Sequence, residues 1–305
     1  MPSTERLVVT MNILHEIAQR TMERVEAQKK AFPLERIKEM VCHYTSSDPL
    51  PQSTPAGSGC CKSDADSGFA FENALRSDDI AFICEIKKAS PSKGVIAKDF
   101  PYLDIARDYE AAGAASISVL TEPYYFKGSD RYLREIADAV SIPLLRKDFT
   151  VDSYMIYEAK LLGASCVLLI CALLEQDALE EYIATAHNLG LSALVEIHDE
   201  REMDMALSAS ARIIGVNNRN LKTFEVDMTL SERLRALAPP DVLFVSESGI
   251  SQSEDIARLR RIGVDGVLIG ETLMRAPDKK AALAELRGKE LQRSESSVAE
   301  LRGMR

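Results

Sequence analysis

Glu85 and Lys87 are the first residues in the sequence whose types and spacing suggest chemistry. They end the apolar run that begins at 81, which has the pattern of a buried strand. Two residues apart on a strand, their side chains point to the same side. A Ser-Pro-Ser-Lys-Gly turn follows at 90–94. A carboxylate, an ammonium group and a hydroxyl-rich turn are poor core material, and they suit a site that binds an anion and moves protons.

Similar polar residues follow most of the other apolar runs in the chain. Taken alone, each is equally well explained as a loop residue or as half of a structural salt bridge. The set is more specific, because carboxylates and lysines that converge in a confined site shift one another's pKa values and so separate acid from base roles. The strand-end residues that would form this set are Glu85, Lys87, Lys147, Glu196, Asn217 and Glu247.

Eight apolar runs, separated by helical patterns, would have to position these residues. The runs cover 81–86, 115–120, 142–146, 165–170, 192–197, 212–216, 242–246 and 265–269. Four helical patterns end at a glycine suited to the left-handed C-cap position, at Gly113, Gly163, Gly190 and Gly263. The spacing of these glycines is close to multiples of about 25 residues, which is typical of repeated units. The predicted N-caps are Ser129, Asp152, Asp199, Thr229 and Ser253.

The pattern of these runs predicts the fold class. Strands that are apolar on successive residues are buried on both faces, as in a parallel sheet covered by helices. Eight strand–helix units in about 205 residues predict an α/β protein, a (β/α)8 TIM barrel with an N-terminal helical extension. A doubly wound open sheet is the alternative, which the lack of a Gly-x-Gly-x-x-Gly motif disfavours. In a barrel, the carboxyl ends of all strands share one mouth.

Composition divides the sequence into four segments. Residues 1–45 form the predicted helical extension, which Pro33 interrupts, and 71–287 form the barrel. Ser, Asp, Pro and Gly dominate 46–70, which predicts a flexible loop or a lid over the site. Residues 288–305 read as a charged tail.

Phosphate binding is predicted at the loops after the seventh and eighth runs. Barrels often bind phosphate there, with glycines that let backbone N–H groups approach the anion. Ser90 and Lys87 from the first loop would add a hydroxyl group and a positive charge. The candidate loops are Ser248–Ile250 and Gly270–Thr272.

Composition also excludes several kinds of partner and site. A net charge of −10 disfavours nucleic acid and anionic membranes, and no apolar run is long enough to cross a bilayer. The N-terminus lacks a signal-peptide pattern, and six cysteines without a Cys-x-x-Cys pair fit a reducing cytosol. We therefore expect a cytoplasmic protein. The four histidines lack metal-ligand spacing and are predicted to lie on helices or the surface: His15, His43, His187 and His198.

Five motifs together resemble indole-3-glycerol-phosphate synthase, the ring-closing enzyme of tryptophan biosynthesis. The resemblance runs in order through 81–287, and the family's members carry a helical extension packed over the barrel mouth. The motifs are Glu85-Ile-Lys87-Lys-Ala-Ser90-Pro-Ser, Leu145-Arg-Lys147-Asp-Phe149, Leu194-Val-Glu196, Gly215-Val-Asn217-Asn-Arg219-Asn-Leu and Ser246-Glu247-Ser248-Gly249-Ile.

This resemblance implies a reaction and a role for each residue. The substrate would be 1-(2-carboxyphenylamino)-1-deoxyribulose 5-phosphate, which undergoes ring closure, decarboxylation and dehydration without metal or cofactor on a monomeric enzyme. Lys147 would be the general acid, with a lowered pKa, and Glu196 would transfer protons in dehydration. Glu85 and Lys87 would flank the substrate, and Asn217 would orient groups there. The implied phosphate cradle is Ser90, Ser248, Gly249, Gly270 and Glu271, and the implied substrate contacts are Phe149, Arg219 and Glu247.

One departure and two rival functions remain. Glu271 stands where some members have a hydroxyl residue, and its carboxylate would repel phosphate unless it points away. Lys88 and Lys93 are interpreted as solvated charges. The rivals are a phosphoribosylanthranilate isomerase-like barrel and an inactive phosphate-binding scaffold. Two lysines and two glutamates at four strand ends disfavour the isomerase.

Overall fold

A closed barrel of eight parallel strands forms the centre of the computed structural model, which describes residues 13–47 and 68–288. The strands are β1 (Ala81–Ile86), β2 (Ser116–Leu120), β3 (Leu144–Lys147), β4 (Cys166–Ile170), β5 (Ser192–Ile197), β6 (Ile213–Asn217), β7 (Leu243–Glu247) and β8 (Gly266–Ile269). Strand β1 pairs with both β2 and β8 and so closes the barrel. Each predicted run becomes a strand, with bounds that differ by at most two residues. The predicted (β/α)8 barrel is confirmed, and the open-sheet alternative is wrong.

Three helices precede β1, and the others follow the strands and cover the outside of the barrel. They are α1 (Ile13–Ala31), α2 (Leu34–Ser47), α3 (Ala70–Leu75), α4 (Tyr102–Ala111), α5 (Asp130–Ala137), α6 (Ser153–Leu161), α7 (Gln176–Asn188), α8 (Glu200–Ser208), α9 (Thr229–Arg235), α10 (Ser253–Arg261), α11 (Glu271–Arg275) and α12 (Lys279–Leu286). The four glycines predicted to end helices have φ between 69° and 84°, the left-handed region in which a side chain is costly.

Three of the five predicted N-caps are confirmed. The side chains of Ser129, Asp152 and Asp199 each accept a hydrogen bond from a backbone N–H in the first turn of the following helix. Thr229 and Ser253 are instead the first residues inside their helices. The reason is a better acceptor nearby: Asp227 Oδ1 accepts from the Thr229 N–H at 2.9 Å, and Gln252 forms a reciprocal capping box with Asp255.

Successive side chains along each strand point alternately into and out of the barrel, and they form two separate apolar layers. Inward side chains of the strands pack with each other inside the barrel, and outward side chains pack against the helices. Helix α3, which the sequence analysis did not predict, closes the amino-terminal end of the barrel with Phe71 and Leu75. Gly266 leaves room for this plug, because a Cβ there would lie 2.9 Å from Leu75 Cδ2. The floor is therefore filled, and only the carboxyl ends of the strands remain for a site.

The N-terminal helices α1 and α2 pack against α6 and the mouth of the barrel. Val25 and Ile37 form a small apolar cluster with Tyr154 and Met155 of α6. Arg24 of α1 donates two hydrogen bonds, of 3.0 and 2.9 Å, to the buried carboxylate of Asp148, directly after β3. Helix α2 continues to Ser47, two residues past the predicted boundary at 45. The greater part of the predicted loop at 46–70, Cys60 and Cys61, and nearly all of the predicted tail lie outside the described residues.

Candidate active site

The last inward-facing positions of the strands form a ring around the mouth of the barrel. This ring lines a cavity of about 450 Å³. Its members are Glu85 and Lys87 at β1, Leu120 at β2, Lys147 at β3, Ile170 at β4, Glu196 at β5, Asn217 at β6, Glu247 at β7 and Gly270 after β8. The structure therefore brings together all six residues of the predicted strand-end set.

Lys147 lies at the centre of this ring. Its ammonium group is 2.8 Å from Glu196 Oε2 and 3.2 Å from Glu247 Oε2. Asn217 donates a 3.2 Å hydrogen bond to the other oxygen of Glu196. The side chains of Glu196 and Glu247 are only 3% and 2% exposed, so these charges interact with little screening by water. Lys87 and Glu85 form a second ion pair in the ring, with Lys87 Nζ 2.5 Å from Glu85 Oε1.

Burial and charge set the pKa values of this cluster in opposite directions. Burial alone would lower the pKa of Lys147, but the attraction of Glu196, Glu247 and Glu85 outweighs it and raises that pKa. The predicted lowering is therefore wrong, because the sequence indicates that these carboxylates and Lys147 share one mouth but not how close to the ammonium group they lie. Burial would raise the pKa of Glu196, but Lys147 overcomes this and lowers it.

Glu247 is the carboxyl group of the cluster that holds a proton most readily. Burial and the neighbouring charge of Glu196 raise its pKa to about 7, against the opposing pull of Lys147. Near neutral pH, Lys147 is thus an ammonium group, Glu196 is a carboxylate and Glu247 is partly protonated. A proton donor and a proton acceptor lie 2.8 Å apart, which is the arrangement that acid–base chemistry needs.

Two glycines make room for these carboxylates. A Cβ on Gly215 would lie 2.3 Å from Glu247 Oε1, and a Cβ on Gly270 would lie 2.3 Å from Glu85 Oε1 and 3.0 Å from Lys87 Nζ. Both positions face inward, so any side chain there would displace a charged group of the ring. Gly270 was predicted only as part of the phosphate cradle, and this spatial role was missed.

One wall of the cavity is apolar and aromatic. Leu120, Leu168 and Ile170 come from the strands, and Phe149 follows β3 with its ring centroid 6.0 Å from that of Phe126. Helix α1 adds a roof over this wall, made of Ile13, Leu14 and Ile17. The wall suits a flat aromatic ligand. Strand β4 brings no charged residue to the mouth, and its inward side chains, Leu168 and Ile170, instead form part of this wall.

The opposite wall carries hydroxyl groups and left-handed backbone. Ser90, placed by a short hairpin in which Ala89–Ser90 pairs with Gly94–Val95, lines the cavity together with Ser248 and Gly249. Ser248 and Gly249 have φ values of 66° and 86°. Asn218 holds this turn, because its side-chain amide donates to the carbonyl oxygens of Glu247 and Ser248 at 3.0 and 3.2 Å. Successive residues of this kind form a concave backbone surface that suits an anion.

Glu271 and Arg219 also line the cavity, each with an additional partner. The Glu271 carboxylate is 3.0 Å from Arg275 Nε and 3.6 Å from Lys93 Nζ, so two cations offset its charge. Lys93 is exposed, as its interpretation as a solvated charge requires, and Glu271 is its ion-pair partner at the surface. Arg219 donates a 3.0 Å hydrogen bond to the carbonyl oxygen of Phe224, which fixes the loop after β6. Lys88 packs over the ring of Phe100 at 5.8 Å.

Sequence reasoning missed His198, which the structure places next to Glu196. Its ring is largely buried, with Nε2 3.4 Å from Glu196 Oε1 and Nδ1 3.1 Å from Glu202 Oε2. The prediction of a surface or helix histidine is wrong at this position. A signal existed, because His198 comes two residues after Glu196 and four before Glu202. Among the described residues, no cluster of His, Cys, Asp and Glu could hold a metal ion, and no helix could cross a membrane.

Comparisons with known proteins agree with this geometry. Solved structures of 3-hexulose-6-phosphate synthase and of thiamine phosphate pyrophosphorylase from Pyrococcus furiosus match with TM-scores of 0.54 and 0.53. The first is 14% identical and covers 69% of this chain and 99% of its own. The second is 17% identical and covers 70% of this chain and 96% of its own. At such low identity they show the fold alone.

Closer similarity comes from curated relatives named indole-3-glycerol phosphate synthase. The relative from Ruminiclostridium cellulolyticum is 57% identical over 90% of this chain and 99% of its own length. The relative from Lachnoclostridium phytofermentans is 48% identical over 90% of this chain and 98% of its own length. The sequence model of the family described as indole-3-glycerol phosphate synthase matches residues 57–286. This chain belongs to the indole-3-glycerol phosphate synthase family.

Proposed function

We propose that this site converts 1-(2-carboxyphenylamino)-1-deoxyribulose 5-phosphate to indole-3-glycerol phosphate, with release of CO2 and water. The observation that carries the proposal is the contact of Lys147 with Glu196 and Glu247 inside a cavity that has one aromatic wall and one hydroxyl-rich wall. A substrate with an aromatic ring at one end and a phosphate at the other matches both walls. Family membership supports the same reaction.

Ring closure needs an acid at the substrate's ketone. The ring carbon that bears the carboxylate attacks the ketone carbon, and the carbonyl oxygen takes up a proton as the new carbon–carbon bond forms. We assign this proton to Lys147, which is charged and lies at the cavity floor. Although its raised pKa makes Lys147 a weak acid, the oxygen becomes far more basic as the bond forms. Lys87, paired with Glu85, supplies a second positive charge beside the oxygen.

Loss of CO2 and of water completes the reaction. The bond to the carboxylate breaks and its electrons return to the ring. The hydroxyl group formed from the ketone then takes up a second proton and leaves as water, and the neighbouring carbon loses one proton in exchange. Glu196 is ionised and held by Lys147 and Asn217, so it is suited to accept the proton released as the indole double bond forms. Glu247 and Asn217 orient the substrate's hydroxyl groups.

The phosphate group is assigned to the hydroxyl-rich wall. The hydroxyl groups of Ser90 and Ser248 and the backbone of Gly249, Gly270 and Glu271 surround that end of the cavity. Because Arg275 and Lys93 already hold the Glu271 carboxylate, its N–H can approach the anion without strong repulsion. Arg219 and Phe149 are assigned to the substrate's body. We also propose that the enzyme is a cytoplasmic monomer, which rests on its family and its cysteine usage.

A fluorescence assay for the indole product tests this proposal. Adding the carboxyphenylamino-deoxyribulose phosphate should give indole fluorescence and an equal amount of CO2. Turnover of phosphoribosylanthranilate in its place would favour the isomerase. Binding of inorganic phosphate by folded protein that turns over neither substrate would favour the scaffold. Both outcomes would refute the proposal.

A further inference from the structure

His198 and Glu202 form a buried pair behind the catalytic carboxylate. His198 comes directly after β5, and Glu202 lies in the first turn of α8. Neither residue is among those that line the cavity. The imidazole bridges the two carboxylates, with Nδ1 3.1 Å from Glu202 Oε2 and Nε2 3.4 Å from Glu196 Oε1. The pair therefore reaches the reaction only through Glu196.

Local hydrogen bonds fix the orientation of the imidazole. Glu202 Oε2 accepts a 2.8 Å hydrogen bond from the His198 backbone N–H as well as the contact with Nδ1. The Glu202 backbone N–H in turn donates to Asp199 Oδ1 at 2.8 Å. A carboxylate on Nδ1 assigns the proton to that nitrogen. It also directs Nε2 toward Glu196, and this buried Nε2 has no hydrogen-bond partner among the described residues.

Both oxygens of Glu196 therefore have neighbours on the protein side. Lys147 is 2.8 Å from Oε2, and Asn217 and His198 are 3.2 and 3.4 Å from Oε1. We propose that His198, held by Glu202, is a positioning residue that orients Glu196 and supplies a positive charge opposite Lys147 during proton transfer. The inference rests on the proposed function, since it concerns the residue assigned to dehydration.

The charges around His198 support this role. Burial alone would lower the pKa of His198, but the hydrogen bond that its imidazole donates to Glu202 and the charges of Glu196, Glu202 and Glu247 outweigh it and raise that pKa. Those three carboxyl groups are the charged groups that face the imidazole, and Cys171, which packs beside Glu202, is neutral because burial raises its pKa to about 12. The charged imidazole in turn helps to lower the pKa of Glu196.

The test compares His198→Gln and Glu202→Gln with wild type in kcat and KM as a function of pH. The first variant keeps an uncharged donor near Glu196. The second keeps an oxygen that can accept the His198 backbone N–H, so the start of α8 is preserved if the first variant fails to fold. His187→Gln is the matched control, because His187 is a partly buried histidine on α7 that contacts Phe69 at the other end of the barrel.

In both variants we expect the acidic side of the plot of kcat against pH to move to higher pH, by up to about one pH unit. At a given pH on that side, kcat should therefore fall by at most about tenfold. KM should change little, and the control should follow wild type. Profiles that superimpose on wild type would overturn the inference, as would an equal loss of kcat at every pH. Absence of product with wild type would instead refute the proposed function.

Discussion

At the scale of single residues, the charge of Lys147 is the property that sequence alone could not supply. The types and spacing of Lys147, Glu196 and Glu247 predict that they meet at one end of a barrel, because each comes at the end of an apolar strand. Whether the pKa of the lysine rises or falls depends on distances of a few ångströms to carboxylates from three other strands. The structure gives those distances, and they favour the charged form.

The raised pKa of Glu247 predicts a pH-dependent cost to stability. A carboxyl group whose pKa is about 7 when folded, and near 4.5 when unfolded, stabilises the fold below about pH 4.5 and loses that contribution as pH rises through 7. Glu247→Gln removes this titration. Its free energy of unfolding relative to wild type should rise by roughly 1–3 kcal/mol between about pH 5 and pH 8. Chemical denaturation of both proteins at both pH values measures the change. The assignment would be contradicted if the free energies of unfolding of the variant and the wild type differed by the same amount at the two pH values.

Gly270 provides a test of space in the ring. Gly270→Ala places a methyl group against Glu85 and Lys87, so we expect kcat/KM to fall at least about tenfold, with a stability change within about 1 kcal/mol. Gly68→Ala is the control, because no atom lies within 4 Å of a Cβ at that position. Wild-type kinetics in the Gly270 variant would show that Glu85 moves aside freely.

At the scale of elements, the side chains at the end of strand β3 point in two directions. Lys147 points into the cavity, while Arg146 and Asp148 on either side of it point out into a buried network with Arg24 of α1. The alternation of a strand predicts the two directions. It does not predict the partner, since Arg24 is more than a hundred residues away in the chain. Helix α3 was missed for a similar reason, because its six residues are too few to show a period.

Removing the Arg24 side chain tests how α1 supports the site. Arg24→Met leaves the buried Asp148 carboxylate with fewer donors, so we expect a loss of about 1.5–3 kcal/mol in the free energy of unfolding. KM should rise, because α1 carries the apolar roof of the cavity. Arg20→Met, which breaks an exposed pair with Glu16, should change stability by less than about 1 kcal/mol. Equal losses in the two variants would contradict the role of Arg24.

At the scale of the whole molecule, the eight repeated strand units place their carboxyl ends around one site. The eight runs are visible in the sequence because each is apolar on successive residues and most of them end at a change to polar residues. Closure of the barrel then brings together charged residues of the ring that are up to 162 positions apart, from Glu85 to Glu247. The family resemblance implied a helical extension over the mouth, but not which side chains of α1 form the roof. The pair of His198 with Glu202 was not predicted at all, since such contacts depend on how loops and helices pack.

We have proposed that Lys147 and Glu196 carry the acid–base steps of indole formation. Steady-state turnover of the carboxyphenylamino-deoxyribulose phosphate by Lys147→Ala and Glu196→Gln tests it most directly. We predict that kcat falls by at least about a hundredfold in each variant, because a positioned proton donor or acceptor is lost, while KM changes far less. Indole formation near the wild-type rate in both variants would contradict the account.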